Sequence, residues 1–373
     1  MKGALAKRAF KDYFDTEAAH FLSDQLASSY PELDRDKFVQ ISTDNIDALE
    51  MSARIAVFSR AIRICLPDSV PLALEIIKKS LPEELKESEG SYSGFLQWPL
   101  GDFVATYGLE HWPESMDVLF DLTKRFTSEF AIRPFYERYP IQTLRKVQEW
   151  MKDPNVHVRR LCSEGFRPRL PWGRKLELFI EDPSPLIPIL EYLREDEEAY
   201  VRKSVANCLN DISKDHPDLV IELSEKWIQN ANKNQTRLIK HGLRSLVKDG
   251  NLRTLSILGF QPIENLDQTF NISKEKLFLG ESLEMYLTLK SSADYSQSIL
   301  LDYCVYYVRQ KGKISKKVFR WKSFTIHPGQ FVELKKMHFM KVSSVRSLYE
   351  GEHRIEIQIN GSSELSSSFD LSF

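Results

Sequence analysis

Two stretches of this chain align with each other at a fixed offset of 43 residues. KVQEWMKDPNVHVRRLCSEG, from Lys146, falls on ILEYLREDEEAYVRKSVANCLNDIS, from Ile189. Trp150 lands on Leu193, Asp153 on Asp196, Val158 on Val201 and Arg159 on Arg202. A looser third copy, EKWIQNANKNQTRLIKHGLRSLVKDG, starts at Glu225. Each copy reads as a helix, a short polar turn and a second helix with Val-Arg near its start, the pattern of a HEAT-like repeat. One such unit cannot bury its apolar face alone, so neighbours must stack into a curved solenoid with a concave face.

Earlier segments such as SARIAVFSRAIRIC and MDVLFDLTKRFTSEFAIRPFY share the 3.6-residue period, and residues 81–98 read as a loop at their centre. Near residue 270 the period changes to two. ESLEMYLTLKSS, ILLDYCVYYVRQ, KKVFRWKSFTI, QFVELKKMHF and EHRIEIQING alternate apolar and polar residues, separated by the turn signals KGK, HPGQ and EGE. With the edge segments this makes about seven short strands, which predicts an immunoglobulin-like β-sandwich. The stretch Tyr349–His353 resembles the strand-edge corner of such sandwiches. The predicted architecture is multidomain: an all-α HEAT-like solenoid over 1–258, a linker over 259–270 and an all-β sandwich over 271–373.

The chain has 373 residues, 42% of them hydrophobic and 28% charged, ample for real cores. Its net charge of −2 gives no overall basic signature. Charge is uneven, however: residues 271–373 carry 15 Lys and Arg against 11 Asp and Glu, and the rest carries 36 against 42. Any anion-binding surface must therefore be made by local clustering. Four cysteines, Cys65, Cys162, Cys208 and Cys304, form no Cys-x-x-Cys and no zinc spacing, so they read as buried reduced thiols. Neither a metal nor a cofactor is expected. The N-terminus has no signal-peptide run and no later segment spans a bilayer, which reads as a cytoplasmic protein without a membrane partner.

Residues 157–172, HVRRLCSEGFRPRLPW, place Arg159, Arg160, Arg167 and Arg169 around Glu164. Arg160 and Glu164 are four apart, which by itself is an ion pair worth a few tenths of a kcal/mol. Pro168 and Pro171 add an extended loop projecting Arg167, Arg169 and Trp172. The 43-residue offset puts Lys203 and Asn207 on the same face, with Asp211 one turn on, and the third copy continues with Arg237, Lys240, Arg244 and Lys248. The result is a basic strip with a few acids in it, the footprint of a phosphate backbone. Upstream, Asp121, Arg125, Glu129 and Arg133 are spaced by four. Pro134 biases Arg133 away from helix, and apolar neighbours favour a partly buried Glu129, a candidate site carboxylate. In the C-terminal part, RQKGKISKKVFRWK gathers Lys313, Lys316 and Lys317 near one hairpin turn, a second candidate grip on DNA.

Together RFTSEFAIRPF (125–135), VRRLCSEGFRPRLPW (158–172) and KHGLRSLVKDG (240–250) resemble the AlkC family of bacterial alkylpurine DNA glycosylases, relatives of AlkD. The resemblance covers roughly residues 1–258, and the sandwich looks like the immunoglobulin-like domain some members append. It implies a monomeric enzyme that hydrolyses the N-glycosidic bond of cationic methylated bases, 3-methyladenine and 3-methylcytosine, in duplex DNA. An abasic site is left, and no base-flipping pocket is used. It further implies Glu129 and Glu164 as site carboxylates, Asp211 as a third, and Trp172 against the lesion nucleotide. Arg133, Arg159, Arg160, Arg167 and Arg169 would hold phosphates or order the carboxylates, and Lys203, Lys240 and Arg244 would track the backbone. Asn207 stands where AlkD relatives place an aromatic, which leaves π contact to Trp172. The alternative is a non-catalytic HEAT scaffold that binds DNA or protein.

Overall fold

The computed structural model describes residues 9–86, 94–341 and 347–373. The centre of the loop expected over 81–98 lies outside these residues. Up to Ile257 the described chain is helical, and from Leu266 it is β.

The repeat offset has a direct physical cause. Helices Pro140–Trp150 and Val156–Glu164 form one pair, and Ile187–Leu193 and Ala199–Ile212 the next. In the turn of each pair an aspartate accepts the backbone N–H two residues on: Asp153 from Asn155 and Asp196 from Glu198, both at 2.8 Å. Six residues after each aspartate an arginine returns to the same turn. Arg159 donates to the carbonyls of Asp153 and Pro154 at 3.0 and 2.8 Å, and Arg202 to those of Asp196 and Glu197. Arg159 also donates to both Asp196 oxygens, at 2.7 and 3.2 Å, and so ties one repeat to the next. These bonds occupy the Arg159 guanidinium. It orders a carboxylate of the inter-repeat ladder, one of the two roles expected for it.

The third copy is interrupted. Helix Lys233–Gly242 stops, and a separate short helix runs from Arg244 to Lys248. Gly242 packs against helix Ala199–Ile212, where a Cβ would stand 3.2 Å from Leu209 Cβ. The expected stripe from Arg237 to Lys248 therefore does not run on one helix.

By packing, the chain divides into two units. The first comprises residues 1–215 and Asn232–Gly242, and the second His216–Ala231 and Leu243–Phe373. The second unit thus includes helices beyond the sandwich, unlike the expected break after residue 258. Its strands are β1 (Leu266–Ile272), β2 (Lys276–Phe278), β3 (Ser282–Ser291), β4 (Gln297–Val308), β5 (Ile314–Ile326), β6 (Phe331–Phe339), β7 (Gly351–Ile359) and β8 (Ser362–Ser372). One sheet has the order β1-β3-β6 and the other β2-β8-β7-β4-β5. All pairs are antiparallel except β2 with β8. β1 begins inside the stretch expected to be linker, because Asp267, Gln268 and Asn271 hide its alternation. Inward residues such as Leu287, Leu289, Ile299, Val305, Ile355 and Ile357 fill the core between the sheets. The β4–β5 turn needs positive φ at Lys311 and Gly312, 60° and 70°, as tight hairpins do. Lys313 precedes β5 and Lys316 and Lys317 lie on it, all three exposed, with β5 at the sheet edge.

The sandwich meets its own unit's helices at two glycines. Gly250 and Gly361 both have positive φ, 75° and 87°, and a Cβ on Gly361 would stand 2.6 Å from the Gly250 carbonyl and 2.7 Å from Leu255 Cδ1. Gly361→Ala is expected to lower stability by about 1–3 kcal/mol, through backbone strain and steric overlap. Urea titration measures this, and an unchanged midpoint would refute the close approach.

Candidate functional site

Arg133 is the largest fully buried side chain, and it is helical, in the first turn of Ile132–Arg138. Pro134 does not expel it, since a proline in the first turn gives up an N–H that has no helical partner there. Its Nη1 donates to the carbonyls of Gly165 and Arg167, at 2.8 and 3.0 Å, and its Nε to that of Arg174, at 3.0 Å. Burial pulls the guanidinium down to about 10, which leaves it charged at neutral pH. Arg133 therefore clamps both ends of the loop 165–174. It does not face a phosphate.

Inside that loop the arginines turn to carboxylates. Arg167 donates from Nη1 to Glu164 Oε1 at 2.7 Å and from Nε to Asp211 Oδ2 at 2.8 Å. Burial opposes its charge, but Glu164 and Asp211 outweigh burial and hold the guanidinium above its ordinary value. Arg160 lies 2.8 Å from Glu129 Oε2 and 3.7 Å from Glu164 Oε1, and its guanidinium sits 4.8 Å from the Tyr200 ring centre. Here too burial is outweighed, by Glu129 and Glu164, and the charge is held on. Thr127 closes the end of the row, its hydroxyl donating to Glu129 Oε2 at 2.8 Å. Lys214 closes the other, 3.0 Å from Asp211 Oδ1. The three expected carboxylates thus stand in one alternating row: Glu129, Arg160, Glu164, Arg167, Asp211, Lys214.

Three expectations change here. Arg160 and Arg167, expected to hold phosphates or order the carboxylates, are placed against carboxylates. Arg169 is committed to Asp215 through two bonds, at 2.9 and 2.7 Å. Asp121 lies on the helix that ends at Thr123, Glu129 lies in the turn before the next helix, and Arg133 is in that helix rather than expelled from it by Pro134. Of the backbone-tracking residues, Lys203 and Lys240 are exposed, while Arg244 is half-buried and belongs to the other packing unit. Asn207 bonds His241 at 3.0 Å across neighbouring helices.

Trp172 is 73% exposed. The Gly173 N–H returns to the Leu170 carbonyl at 3.2 Å, with Pro171 and Trp172 between them. Trp172 has φ of 66°, at the turn position that usually goes to glycine or asparagine. A strained backbone thus keeps a large indole in solvent. Trp172 also lines a cleft of about 970 Å³ with Phe10, Trp98, Asp102 and Phe130. None of the three row carboxylates lines that cleft.

Comparison with known proteins fits this geometry. A family model described as DNA alkylation repair enzyme matches residues 121–246, which hold Glu129, Glu164, Trp172 and Asp211. A second, described as the C-terminal Ig-like domain of YhaZ, matches residues 267–373. The uncharacterized protein YhaZ of Bacillus subtilis strain 168 is 32% identical over 363 residues, 97% of this chain and 98% of that one. The solved structure of Pseudomonas fluorescens alkylpurine DNA glycosylase AlkC, bound to DNA containing an abasic site analog, is also 32% identical. It superimposes with a TM-score of 0.90 over 98% of this chain and 100% of that one. The chain belongs to the AlkC family.

Within this AlkC-family chain several site residues escaped the sequence reading. Lys214, three residues after Asp211, carried a visible signal in its spacing. So did Tyr200, which the 43-residue offset places on His157 and whose ring packs on it at 5.8 Å. Thr127 and Asp102 carried none. The Trp172 turn yields a prediction. Trp172→Gly should keep stability within about 1 kcal/mol, since the relieved strain offsets the added unfolded-state freedom. Denaturant unfolding reads this, and a loss well beyond that figure would mean the indole holds the loop together.

Proposed function

We propose that this protein is a DNA glycosylase that releases cationic methylated bases, of the 3-methyladenine and 3-methylcytosine type, from duplex DNA. The observation that carries the reading is the row in which three carboxylates alternate with two arginines and a lysine, in the same packing unit as an exposed tryptophan. A base that already bears a positive charge needs no general acid. The C1′–N bond breaks, its electron pair neutralises the departing base, and the sugar is left with oxocarbenium character. Fixed negative charge stabilises that centre as it develops. A water then adds to C1′ and gives its proton to a carboxylate, leaving an abasic site.

The row divides the labour. Asp211 commits Oδ2 to Arg167 and Oδ1 to Lys214, which suits a positioning role. The contacts of Glu164 converge on Oε1 and those of Glu129 on Oε2, so each has a second oxygen for a water or for the sugar. Trp172 supplies an aromatic face for the cationic sugar. That no row carboxylate lines the large cleft supports chemistry without a base-flipping pocket. The partner is double-stranded DNA engaged by a single copy of the chain. Lys203 and Lys240 on the helical unit, with Lys313, Lys316 and Lys317 on the sandwich, are the cations we assign to phosphates.

Glu164→Gln and Glu129→Gln should each slow base release from methylated DNA by at least about tenfold, the scale on which a single electrostatic stabiliser acts. Wild-type rates in both folded variants would sink the carboxylate assignment, and no release by the unmodified protein would favour a binding scaffold. Separately, replacing Lys240, Lys316 or Lys317 by glutamine should weaken binding to damaged and undamaged duplex alike. The slope of log K against log salt should fall by about 0.9 for each phosphate no longer neutralised. Unchanged slopes in all three would remove these lysines from the interface.

A further inference from the structure

The cleft beside Trp172 is built differently from the carboxylate row. Four aromatic residues line it: Phe10, Trp172, and Trp98 packed face to face on Phe130, with ring centres 4.7 Å apart and planes 9° from parallel; Lys11, Glu50, Arg133 and Arg174 lie elsewhere on its wall. Asp102 lines the same cleft from helix Trp98–Tyr107. Among the described residues Asp102 is in no salt bridge, which sets it apart from the arginine-bound carboxylates of the row. Burial raises its carboxyl above the ordinary aspartate value. A half-buried acid without a cation works against stability, and a nearby apolar wall does nothing to offset that. Aromatic surface with a half-buried carboxylate beside it is suited to a flat heterocycle carrying an N–H donor. The volume, about 970 Å³, is at the upper end of small-molecule sites.

We propose that this cleft binds a free nucleobase bearing an exocyclic amino group, held against the aromatic side chains with its amino group donating to Asp102. The proposal rests on the glycosylase reading above, because Trp172 borders the cleft and that reaction releases a neutral, amino-bearing base beside it. The cleft is then the receiving site for the leaving group and a point of product inhibition. Asp102 supplies selectivity: adenine-type and cytosine-type bases have the donor, whereas hypoxanthine has a carbonyl in its place and sets an acceptor against a carboxylate.

Equilibrium dialysis of the full-length protein against free 3-methyladenine, adenine and hypoxanthine tests this. Both amino-bearing bases should bind at least about tenfold more tightly than hypoxanthine, the weight of one hydrogen bond to a charged acceptor. Asp102→Leu should erase that preference while hypoxanthine affinity stays within a few-fold. If Asp102→Leu fails to fold, Thr106→Trp, at an exposed cleft position, should block all three bases. Absence of saturable binding up to millimolar base, or a preference that survives Asp102→Leu, would overturn the proposal. Release of base from methylated DNA is measured on the same preparation. Release without base binding sinks the cleft alone, and base binding without release sinks the glycosylase reading alone.

Discussion

Arg167 between Glu164 and Asp211 is the interaction on which the site depends. Its two bonds join Glu164 to Asp211, on neighbouring helices of the stack, and the bond to Asp211 spans 44 positions in sequence. Buried carboxylates stay ionised only when cations pair with them, and here the signs alternate along the whole row. Removing one member would leave a buried charge uncompensated, at a cost of about 3–5 kcal/mol. The geometry of the carboxylates is therefore set by how the repeats stack, and the repeats are in turn registered by Arg159 on Asp196. A row that alternates in this way is close to neutral. It can stabilise a developing positive charge at short range, yet it offers little long-range attraction to DNA.

The loop 165–174 then takes on a different meaning. Its composition, Arg-Pro-Arg-Leu-Pro-Trp, suggests side chains reaching outward. Instead Arg167 turns in to the row, Arg169 turns to Asp215, and the buried Arg133 grips carbonyls at both ends. Trp172 is presented to solvent, as are Pro171 and Arg174, and the backbone is strained at Trp172. The arginines and prolines build a rigid mount for one aromatic ring.

How far the sequence could be read follows from the range of each interaction. Periodicity is local, so the helical repeats and most strands were legible, and the Asp153–Arg159 pair was visible through its copy at Asp196–Arg202. Proximity to proline made Trp172 legible as well. Arg133 was not, because an arginine before proline looks exposed, and its burial depends on carbonyls more than thirty residues away. The spacing placed Glu164 near Arg160, but it could not say which cation each acid captures, and so left the arginines between holding phosphates and ordering carboxylates. The division of the chain was hidden for a similar reason. The amphipathic pattern of Pro217–Ile228 and Leu252–Ile257 shows that each buries a face, not that they pack in one unit with the strands.

That division bears on how the role of the sandwich can be established. The segments 216–231 and 243–258 belong to the same packing unit as the strands. Gly250 and Gly361 approach within van der Waals range, and Asp302, Cys304 and Gln358 are buried although they alternate with the core-facing residues of β4 and β7. Cutting the chain after the last helix would strip those segments of their partners and expose apolar surface such as Leu255. A truncated protein that loses DNA affinity would then report on folding as much as on missing lysines. Charge on the hairpin is separable from packing, because Lys313, Lys316 and Lys317 are exposed and contribute little to the core. Single substitutions there can resolve a contribution to DNA affinity that removal of the whole domain confounds with loss of the fold.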